Sequence, residues 1–469
     1  MWEKIREIAR KDPARIAYKV GAESLSYGEL WSRAEKAAGL LRRQGNSPVI
    51  LYGHKEPFMV IGMLAALLAR RPYVPVDSAT PLFRLRKIAA LTKATLILSD
   101  ETVTVGETEV CSLSALENDK NREPKERVSD IAYIIFTSGS TGEPKGVPIS
   151  RDNLRHFADW MRRLSPLDSF QNAAVFNQAA FSFDLSVADL CYAFGNGHTL
   201  VAFDGDCQND FEKIFEIFEK DQINVAVMTP TFMKFCLLNR EFDERRYPAF
   251  RCVYFCGEVL ESGLVKKLWE RFPRLAILNA YGPTEATSAV SAALMTREMA
   301  EEAFLPVGDV KKAAVSLEIR DGEIVLKGDS VFSGYLGGLI GGFFRENGKN
   351  CYKTGDLGFI EDGFLYCKGR ADSQVKYKGY RIELSDVEQN LRQIAGVKEA
   401  VVVAVSTKEG AVKALKAFVI AAEGVTADFI KTELAKRVPG YMVPKTLRIV
   451  ERFLVNQNGK TDRKAMEKL

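Results

Sequence analysis

The stretch Ile131-Ala-Tyr-Ile-Ile-Phe-Thr-Ser-Gly-Ser-Thr-Gly-Glu-Pro-Lys-Gly146 joins an apolar run directly to a loop of glycine, serine and threonine. Residues 131–136 have the length and composition of a buried β-strand. In the loop, glycine lets the backbone approach a ligand, hydroxyl groups add hydrogen-bond donors, and Lys145 adds positive charge. The pattern predicts a polyphosphate-binding loop made of the following residues: Thr137, Ser138, Gly139, Ser140, Thr141, Gly142 and Lys145.

A surface turn without a ligand is the alternative interpretation of so short a glycine-rich segment. The loop is not of the Walker A type, which has the pattern GxxxxGK[ST] at the start of a helix. Here Pro144 precedes Lys145 and Gly146 follows it.

The composition excludes several broad classes of protein. The chain has 469 residues, of which 46% are hydrophobic, so it can bury a large core without disulfides or metal. A formal net charge of +4 is too small to indicate a nucleic-acid scaffold or a polybasic membrane anchor. The apolar run Phe58–Ala69 is too short for a membrane span, and residues 1–19 do not have the form of a secretory signal. Eight cysteines without a CxxC pair argue against a zinc cluster and favour a cytoplasmic protein.

Helical patterns alternate with short β-rich runs along most of the chain, which predicts an α/β fold with a largely parallel sheet. The C-terminal part differs, because residues 400–406 and 414–422 are both β-rich and Thr426 can cap a helix that continues to Val438. We therefore expect a large N-terminal domain of packed α/β subdomains at 1–371 and a small, mobile α+β domain at 372–469.

The loop at 137–147 resembles the signature loop of adenylate-forming enzymes, and further motifs follow in the order typical of that family. They are NAYGPTE at 279–285, YKTGD at 352–356, GRADSQVK at 369–376 continuing to GYRIE at 379–383, and NGK at 458–460. The resemblance covers essentially the whole chain. It implies the two-domain adenylate-forming fold, with ATP and Mg²⁺ as cofactors.

The resemblance also assigns nucleotide-site roles to particular residues. Asp356 and Arg370 are expected at the ribose, Glu285 as the magnesium ligand, and Lys460 as the catalytic lysine that stabilises charge on the substrate carboxylate and the α-phosphate. The motif at 279–285 is expected to hold the rest of the nucleotide through these residues: Asn279, Ala280, Tyr281, Gly282, Pro283 and Thr284. Taken alone, Asp356 fits an ordinary turn and Lys460 a solvated surface lysine.

Three residues are expected to bind the substrate. Asp184, in the segment NQAAFSFDLS at 177–186, resembles the aspartate of amino-acid-activating members, where a carboxylate pairs with the substrate ammonium group. Helix capping is its alternative role. Cys256 stands where many relatives have glycine, so it fills space and favours a very small side chain. Ser288 stands where relatives have an apolar residue, and it makes the pocket more polar.

Within the family, the chain resembles the enzymes that load D-alanine onto a carrier protein for lipoteichoic acid decoration. The resemblance implies formation of an aminoacyl adenylate, rotation of the C-terminal domain about a hinge at Asp372, and closure of the site by the face carrying residues 376–379. A phosphopantetheine thiol, supplied by the carrier, then attacks the adenylate. The chain ends nine residues after Lys460, so we expect the carrier to be a separate molecule. The resemblance implies that this carrier is small and acidic, and we expect the enzyme to be a monomer.

Other functions stay open at the level of sequence. The substrate is expected to be D-alanine, but another small amino acid, including an L-isomer or β-alanine, also fits, because the handedness cannot be deduced from Asp184 and Cys256. An acyl-CoA ligase would need no partner for an amine. An ADP-forming phosphotransferase or a nucleotide sensor belongs to another class, disfavoured by the absence of a Walker A motif and by Lys460 respectively.

Overall fold

The structure is a computed structural model that describes residues 1–43, 45–116, 129–138, 143–205, 210–302, 304–338, 341–371, 374–407, 410–454, 463–467 and 469. The α-helices within these ranges are Trp2–Lys11, Tyr27–Arg43, Pro57–Ala69, Leu82–Thr92, Leu113–Leu116, Arg151–Arg162, Leu185–Asn196, Phe211–Lys220, Pro230–Cys236, Ser262–Arg271, Leu384–Arg392, Ala427–Ala435 and Arg463–Glu467. The 3₁₀ helices are Leu167–Ser169, Thr284–Ala286, Met299–Glu301, Val310–Lys312, Leu336–Gly338 and Gly440–Met442.

Two mainly parallel sheets form the N-terminal part of the molecule. In spatial order, the eight-stranded sheet contains Ser291–Leu294, Ala276–Tyr281, Cys252–Phe255, Val225–Met228, Ala174–Asn177, Thr199–Ala202, Ile16–Val20 and Glu23–Ser26. The six-stranded sheet contains Glu109–Cys111, Leu96–Leu98, Val49–Tyr52, Tyr73–Val76, Ile131–Thr137 and Lys145–Ser150. Antiparallel pairs occur only at sheet ends, so the expectation of a largely parallel α/β fold is confirmed.

The parallel sheets follow from burial on both faces. Val49–Tyr52 and Val225–Met228 are buried at every position, and neither alternates polar with apolar residues. The helix Pro57–Ala69 is apolar on all sides and is almost completely buried. Gly62 lies against Leu51, where an added Cβ would come within 2.8 Å of a leucine methyl carbon. No helix among the described residues is both long and apolar enough to cross a bilayer.

A third, antiparallel sheet follows the parallel ones along the chain. Its strands, in spatial order, are Gly308–Asp309, Phe364–Arg370, Lys349–Glu361, Glu323–Lys327 and Ser316–Arg320, and Phe343–Glu346 pairs beside Lys349–Glu361. The pairing places Asp356 directly opposite Arg370. Asp321 and Gly322 form the exposed turn between two of these strands.

The smaller C-terminal domain has its own hydrophobic core, which includes Ile382, Val402, Val419 and Leu434. Its three-stranded sheet contains Val397–Ser406, Val412–Ala421 and Thr446–Ile449. A two-stranded antiparallel hairpin, Gln374–Tyr377 and Tyr380–Glu383, precedes that sheet and is called the hairpin below. The division at 371/372 stays a prediction, because Asp372 lies outside the described residues.

Local predictions agree with the structure apart from small shifts of the boundaries. Ser26 and Glu29 form reciprocal hydrogen bonds at the start of Tyr27–Arg43, as a capping box requires. Thr426 caps the helix Ala427–Ala435, because its side-chain oxygen accepts a hydrogen bond from the backbone N–H of Phe429. That helix ends at Ala435 rather than Val438. The remaining three residues form a tighter turn, in which the N–H groups of Arg437 and Val438 both donate to the carbonyl of Leu434.

Candidate active site

The substrate-site candidates converge at the carboxyl ends of neighbouring parallel strands. Cys256 directly follows Cys252–Phe255, and Thr284 and Glu285 follow Ala276–Tyr281. Asp184 lies beyond Ala174–Asn177, at the start of Leu185–Asn196. Because parallel strands end at the same edge of a sheet, residues far apart in sequence meet there.

Asp356 lies in a small hydrogen-bonded group that fits the sugar of a nucleotide. The Tyr281 hydroxyl donates to Asp356 Oδ2 at 2.6 Å, and Arg370 Nη1 donates to Oδ1 at 2.5 Å. The Asp356 carboxylate is buried and close to an arginine, so its orientation is constrained from both sides. The structure therefore brings together the residues expected at the ribose, although their role there stays a prediction.

Asp184 is a buried carboxylate held by a threonine. Thr284 Oγ1 donates to Asp184 Oδ2 at 2.6 Å. Burial raises the pKa of Asp184 to about 6, against the lowering effects of Thr284, Lys376 and Arg381. Asp184 precedes Leu185–Asn196, but its side chain makes no capping hydrogen bond to that helix. Its carboxylate is thus used inside the site, where an ammonium group would offset the cost of its burial.

Cys256 and Ser288 are both buried, and the charge of Asp184 acts on the Cys256 thiol. Burial raises the pKa of Cys256 to about 12, and the charges of Lys376 and Asp184 act on the thiol in opposite directions. Thr287 and Ser288 have φ of 61° and 75°, a left-handed conformation that is rare for residues other than glycine. The Ser288 hydroxyl has no hydrogen-bond partner among the described residues. A buried, unsatisfied hydroxyl of this kind gains from a polar ligand.

Glu285 is the only residue assigned to metal binding, and its carboxylate is almost fully buried. Tyr335 donates its hydroxyl to Glu285 Oε1 at 2.6 Å, and Arg381 Nη1 donates to Oε2 at 2.5 Å. Burial acts to raise the pKa of Glu285, but Arg381 and Tyr335 outweigh it and hold that pKa below its ordinary value. An ionised carboxylate suits Mg²⁺. The described residues contain no group of three or more potential metal ligands, so phosphate oxygens and water would complete the coordination.

The hairpin of the C-terminal domain lies directly against these residues. The backbone N–H of Gly379 donates to Glu258 Oε1 at 2.8 Å, and the Phe183 and Tyr380 rings are 5.4 Å apart. Lys376 Nζ lies 5.6 Å from the centre of the Tyr281 ring. The face carrying residues 376–379, which we expected to close the site, is therefore the face that contacts it.

The phosphate-loop residues are only partly described. Ser138 contacts the hairpin, and Lys145 Nζ lies 5.9 Å from the centre of the Tyr335 ring. The strand extends one residue beyond the predicted end at 136, so Thr137, which we expected in the loop, is the last residue of Ile131–Thr137. The predictions for the remaining loop residues, for the hinge and for the catalytic lysine concern residues outside the described part of the chain: Gly139, Ser140, Thr141, Gly142, Asp372 and Lys460.

Several residues of the motif at 279–285 also contribute to the packing and hydrogen bonding of the fold. Asn279 uses its amide to donate to the carbonyl of Pro306 at 2.9 Å, which favours a structural role for this side chain. At Gly282, an added Cβ would lie 2.5 Å from the Cα of Ala289, so the chain can pass only without a side chain. Ala280 is buried in the strand, and Pro283 precedes the short helix Thr284–Ala286. Nucleotide contacts of these four residues stay predictions.

Sequence reasoning assigned no role to three residues that the structure places in the site. Arg381 contacts Glu285, Tyr335 contacts the same carboxylate, and Glu258 binds the hairpin. Arg381 lies within the motif at 379–383, and Glu258 lies two residues after Cys256, so a charged residue beside an assigned position was an available signal in both cases. Tyr335 follows a serine and glycine in an irregular segment and had no such signal.

Two family models match the chain. The model of the AMP-binding enzymes matches residues 5–336, and the model of the AMP-binding enzyme C-terminal domain matches residues 386–460. A D-alanine–D-alanyl carrier protein ligase of Bacillus licheniformis is 37% identical, over 99% of this chain and 98% of its own length. A protein of the same name from Staphylococcus epidermidis is also 37% identical, over 98% of this chain and 97% of its own.

The fold agrees with solved structures. An adenylation domain of Vibrio cholerae, in complex with glycyl-adenosine-5'-phosphate, superposes with a TM-score of 0.84 over 99% of this chain and 96% of that one. Its sequence identity is 21%. At this identity the likeness establishes the adenylate-forming fold, with its large N-terminal and smaller C-terminal domain.

Proposed function

Because this chain belongs to the AMP-binding enzyme family, we propose that it activates D-alanine with ATP and transfers the alanyl group to the phosphopantetheine thiol of a carrier protein. The observation that carries the proposal is Asp184, a buried carboxylate near the charges of Lys376 and Arg381, whose side chain has the Thr284 hydroxyl as its one hydrogen-bond partner among the described residues. The full-length likeness to ligases for D-alanine supports the choice of amino acid.

In the first half-reaction, a carboxylate oxygen of the amino acid attacks the α-phosphorus of ATP, and the bond to pyrophosphate breaks. Asp184 binds the ammonium group and so orients the carboxylate, while Thr284 holds Asp184 in place. Asp356, fixed by Tyr281 and Arg370, accepts hydrogen bonds from the ribose hydroxyls. Positioning of this kind supplies a large part of the rate in phosphoryl and nucleotidyl transfer.

Charge has to be neutralised as pyrophosphate leaves. Mg²⁺, when bound, offsets phosphate charge, and Glu285 is the residue that would hold it. Lys460 would place its ammonium group between the substrate carboxylate and the α-phosphate. The phosphate loop, with Ser138 and Lys145 at its described ends, would surround the remaining oxygens.

In the second half-reaction, the carrier thiol attacks the carbonyl carbon of the adenylate. A carbon–sulfur bond forms, the bond to AMP breaks, and the thiol proton passes to solvent. We infer that the C-terminal domain, from about residue 372, turns about Asp372 between the two half-reactions. The contact between Gly379 and Glu258 supports this, because it belongs to an arrangement in which the hairpin faces the site. The setting would be cytoplasmic, with a small acidic carrier and lipoteichoic acid as the final acceptor.

A second candidate is activation of serine or another small amino acid. Ser288 favours it, because this hydroxyl is buried and has no partner among the described residues, so a substrate hydroxyl could satisfy it. Cys256 still restricts the side chain to a small size.

Amino-acid-dependent exchange between ATP and pyrophosphate tests the proposal. The panel should contain D-alanine, L-alanine, glycine, both serine isomers, β-alanine and short carboxylic acids that lack an amine. We expect the highest kcat/KM with D-alanine, followed by its transfer to a phosphopantetheinylated carrier, measured as a mass increase of the carrier. Exchange driven equally by acids without an amine, or ADP as the product, would refute the proposal. Exchange highest with D-serine would establish the second candidate.

A further inference from the structure

The position next to the proposed metal ligand is filled by a protein cation. Arg381 Nη1 lies 2.5 Å from Glu285 Oε2, and the Arg381 side chain is only 15% exposed. The other carboxylate oxygen accepts the Tyr335 hydroxyl, so both oxygens of Glu285 have protein partners in this arrangement. Arg381 comes from the hairpin, whereas Glu285 belongs to the N-terminal domain.

Arg381 is held in this position by several hydrogen bonds. Its Nε donates to Gln374 Oε1 at 2.6 Å, and Gln374 Nε2 donates to Glu383 Oε1 at 2.5 Å. Its Nη2 also lies 3.4 Å from the Tyr352 hydroxyl. Because these partners fix the guanidinium plane, the contact with Glu285 depends on where the whole hairpin lies.

The phosphate loop is engaged by the same hairpin. Ser138 Oγ donates to the carbonyl of Arg381 at 2.9 Å and accepts from the N–H of Glu383 at 2.8 Å. The Ser138 hydroxyl thus donates one hydrogen bond and accepts one within the same three-residue stretch of the hairpin, 381–383. One element therefore contacts both the proposed metal ligand and the phosphate loop.

We propose that Arg381 and a magnesium–phosphate ligand compete for Glu285, so that the hairpin occupies the site only after that ligand has left. The inference rests on the proposed function, because it takes Glu285 as the metal ligand. Its physical basis is repulsion: a guanidinium and a divalent cation cannot share one buried carboxylate oxygen without strong electrostatic cost. Arg381 then compensates the Glu285 charge that the departing ligand leaves behind.

Competition between Arg381 and magnesium pyrophosphate for Glu285 would by itself set the order of the two half-reactions. While magnesium pyrophosphate is bound, the carboxylate is engaged and the hairpin is disfavoured. After release, Glu285 is a buried charge without a partner, which favours docking of Arg381. By thermodynamic linkage, the factor by which magnesium pyrophosphate weakens docking equals the factor by which docking weakens its binding.

Hydrogen–deuterium exchange over residues 374–383 tests the competition. Protection of the Gly379 and Glu383 amides reports docking, because each donates to the N-terminal domain. The probes are MgCl₂ with pyrophosphate, and pyrophosphate with a chelator. The variants are Arg381→Gln, which removes the charge, and Arg381→Lys, which restores it. Arg448→Gln is the matched control, since Arg448 is an exposed arginine of the same domain that donates to the carbonyl of Leu469, also in that domain.

In the unaltered protein and in Arg448→Gln, we expect magnesium pyrophosphate to reduce hairpin protection by about tenfold, within the usual range of coupling between sites. In Arg381→Gln, protection should be lower at the outset and should not respond to the metal, and calorimetry should show tighter binding of magnesium pyrophosphate by a similar factor. Arg381→Lys should recover part of the response.

Three results would overturn the competition. They are unchanged hairpin protection on binding of magnesium pyrophosphate, an equal effect of pyrophosphate without metal, and an Arg381→Gln variant that responds like the unaltered protein. Failure of the proposed function is distinguishable, because it would appear as no binding of magnesium pyrophosphate by calorimetry. If the chain activates a different amino acid, the competition is unaffected, since no amino acid is present in the test.

Discussion

Replacement of Asp184 by asparagine should make the protein more stable and less active at the same time. The substitution keeps the shape of the side chain. It also keeps an oxygen that can accept the hydrogen bond from Thr284 Oγ1, which lies 2.6 Å from Asp184 Oδ2 in the unaltered protein. It removes the charge whose burial raises the pKa of Asp184 from an ordinary 3.8 to about 6. The two effects therefore have one electrostatic cause.

The size of the stability effect follows from the pKa shift. A carboxyl group with a higher pKa in the folded state binds protons more tightly there, so its contribution to stability falls as pH rises between the two pKa values, 3.8 and about 6. A shift of about 2 units corresponds to roughly 3 kcal/mol. Asp184→Asn should therefore change the free energy of unfolding little below the lower value, and raise it by up to roughly 3 kcal/mol above the higher one.

The effect on activity has the opposite sign. Loss of a charged partner for the ammonium group should lower kcat/KM for D-alanine by at least about tenfold, since a hydrogen bond to a charged group contributes roughly 1.5–3 kcal/mol. In the unaltered enzyme, protonation of Asp184 predicts that KM for the amino acid rises as pH falls below about 6. Urea unfolding across that pH range and exchange of pyrophosphate into ATP measure the two effects.

Asp362→Asn provides the control, because Asp362 lies in an exposed turn with φ of 49°, which asparagine tolerates. The control should change neither quantity. An Asp184→Asn variant with unchanged stability at every pH and with exchange intact would refute both the buried charge and its contact with the amine.

Three further substitutions separate the steps of the reaction. In Gly379→Ala, the new Cβ would lie 2.7 Å from Thr229 Cγ2 at φ of +84°, so carrier loading should fall by about 10- to 100-fold while exchange is retained. An equal loss of both activities would contradict this. Lys460→Ala should lower exchange by at least about 100-fold and leave ATP binding by calorimetry unchanged, and normal exchange would disprove the role of the lysine. Cys256→Gly should raise exchange with D-2-aminobutyrate relative to D-alanine by about tenfold, and an unchanged ratio would exclude Cys256 as the size filter.

The sequence was most informative where function depends on short, contiguous motifs. Asp356 and Glu285 were both singled out because two short motifs resemble those of adenylate-forming enzymes, and each lies buried among polar partners in the structure. Alternation of helices with apolar strands likewise predicted the parallel sheets, because a period of about two or 3.6 residues is a local property.

Contacts between domains were beyond sequence reasoning. Arg381 and Glu285 are 96 positions apart, and Ser138 and Glu383 are 245 apart, so no periodicity connects them. Whether Arg381 meets Glu285 depends on how one folded domain docks on another, which local propensities do not encode. The left-handed backbone at Ser288 was also unforeseen, since serine itself does not favour that conformation.

The burial of Cys256 also has a chemical consequence. An aminoacyl adenylate is an electrophile made to react with a thiol, and this site contains a thiol of the protein itself. With its pKa raised to about 12 by burial, Cys256 is ionised in only about one molecule in 10⁵ at neutral pH. Since the thiolate is the reactive form, we expect that Cys256, as the proposed size filter, limits the size of the substrate without becoming acylated by it. On this proposal, the burial that suits a small substrate side chain would also protect the enzyme from its own intermediate.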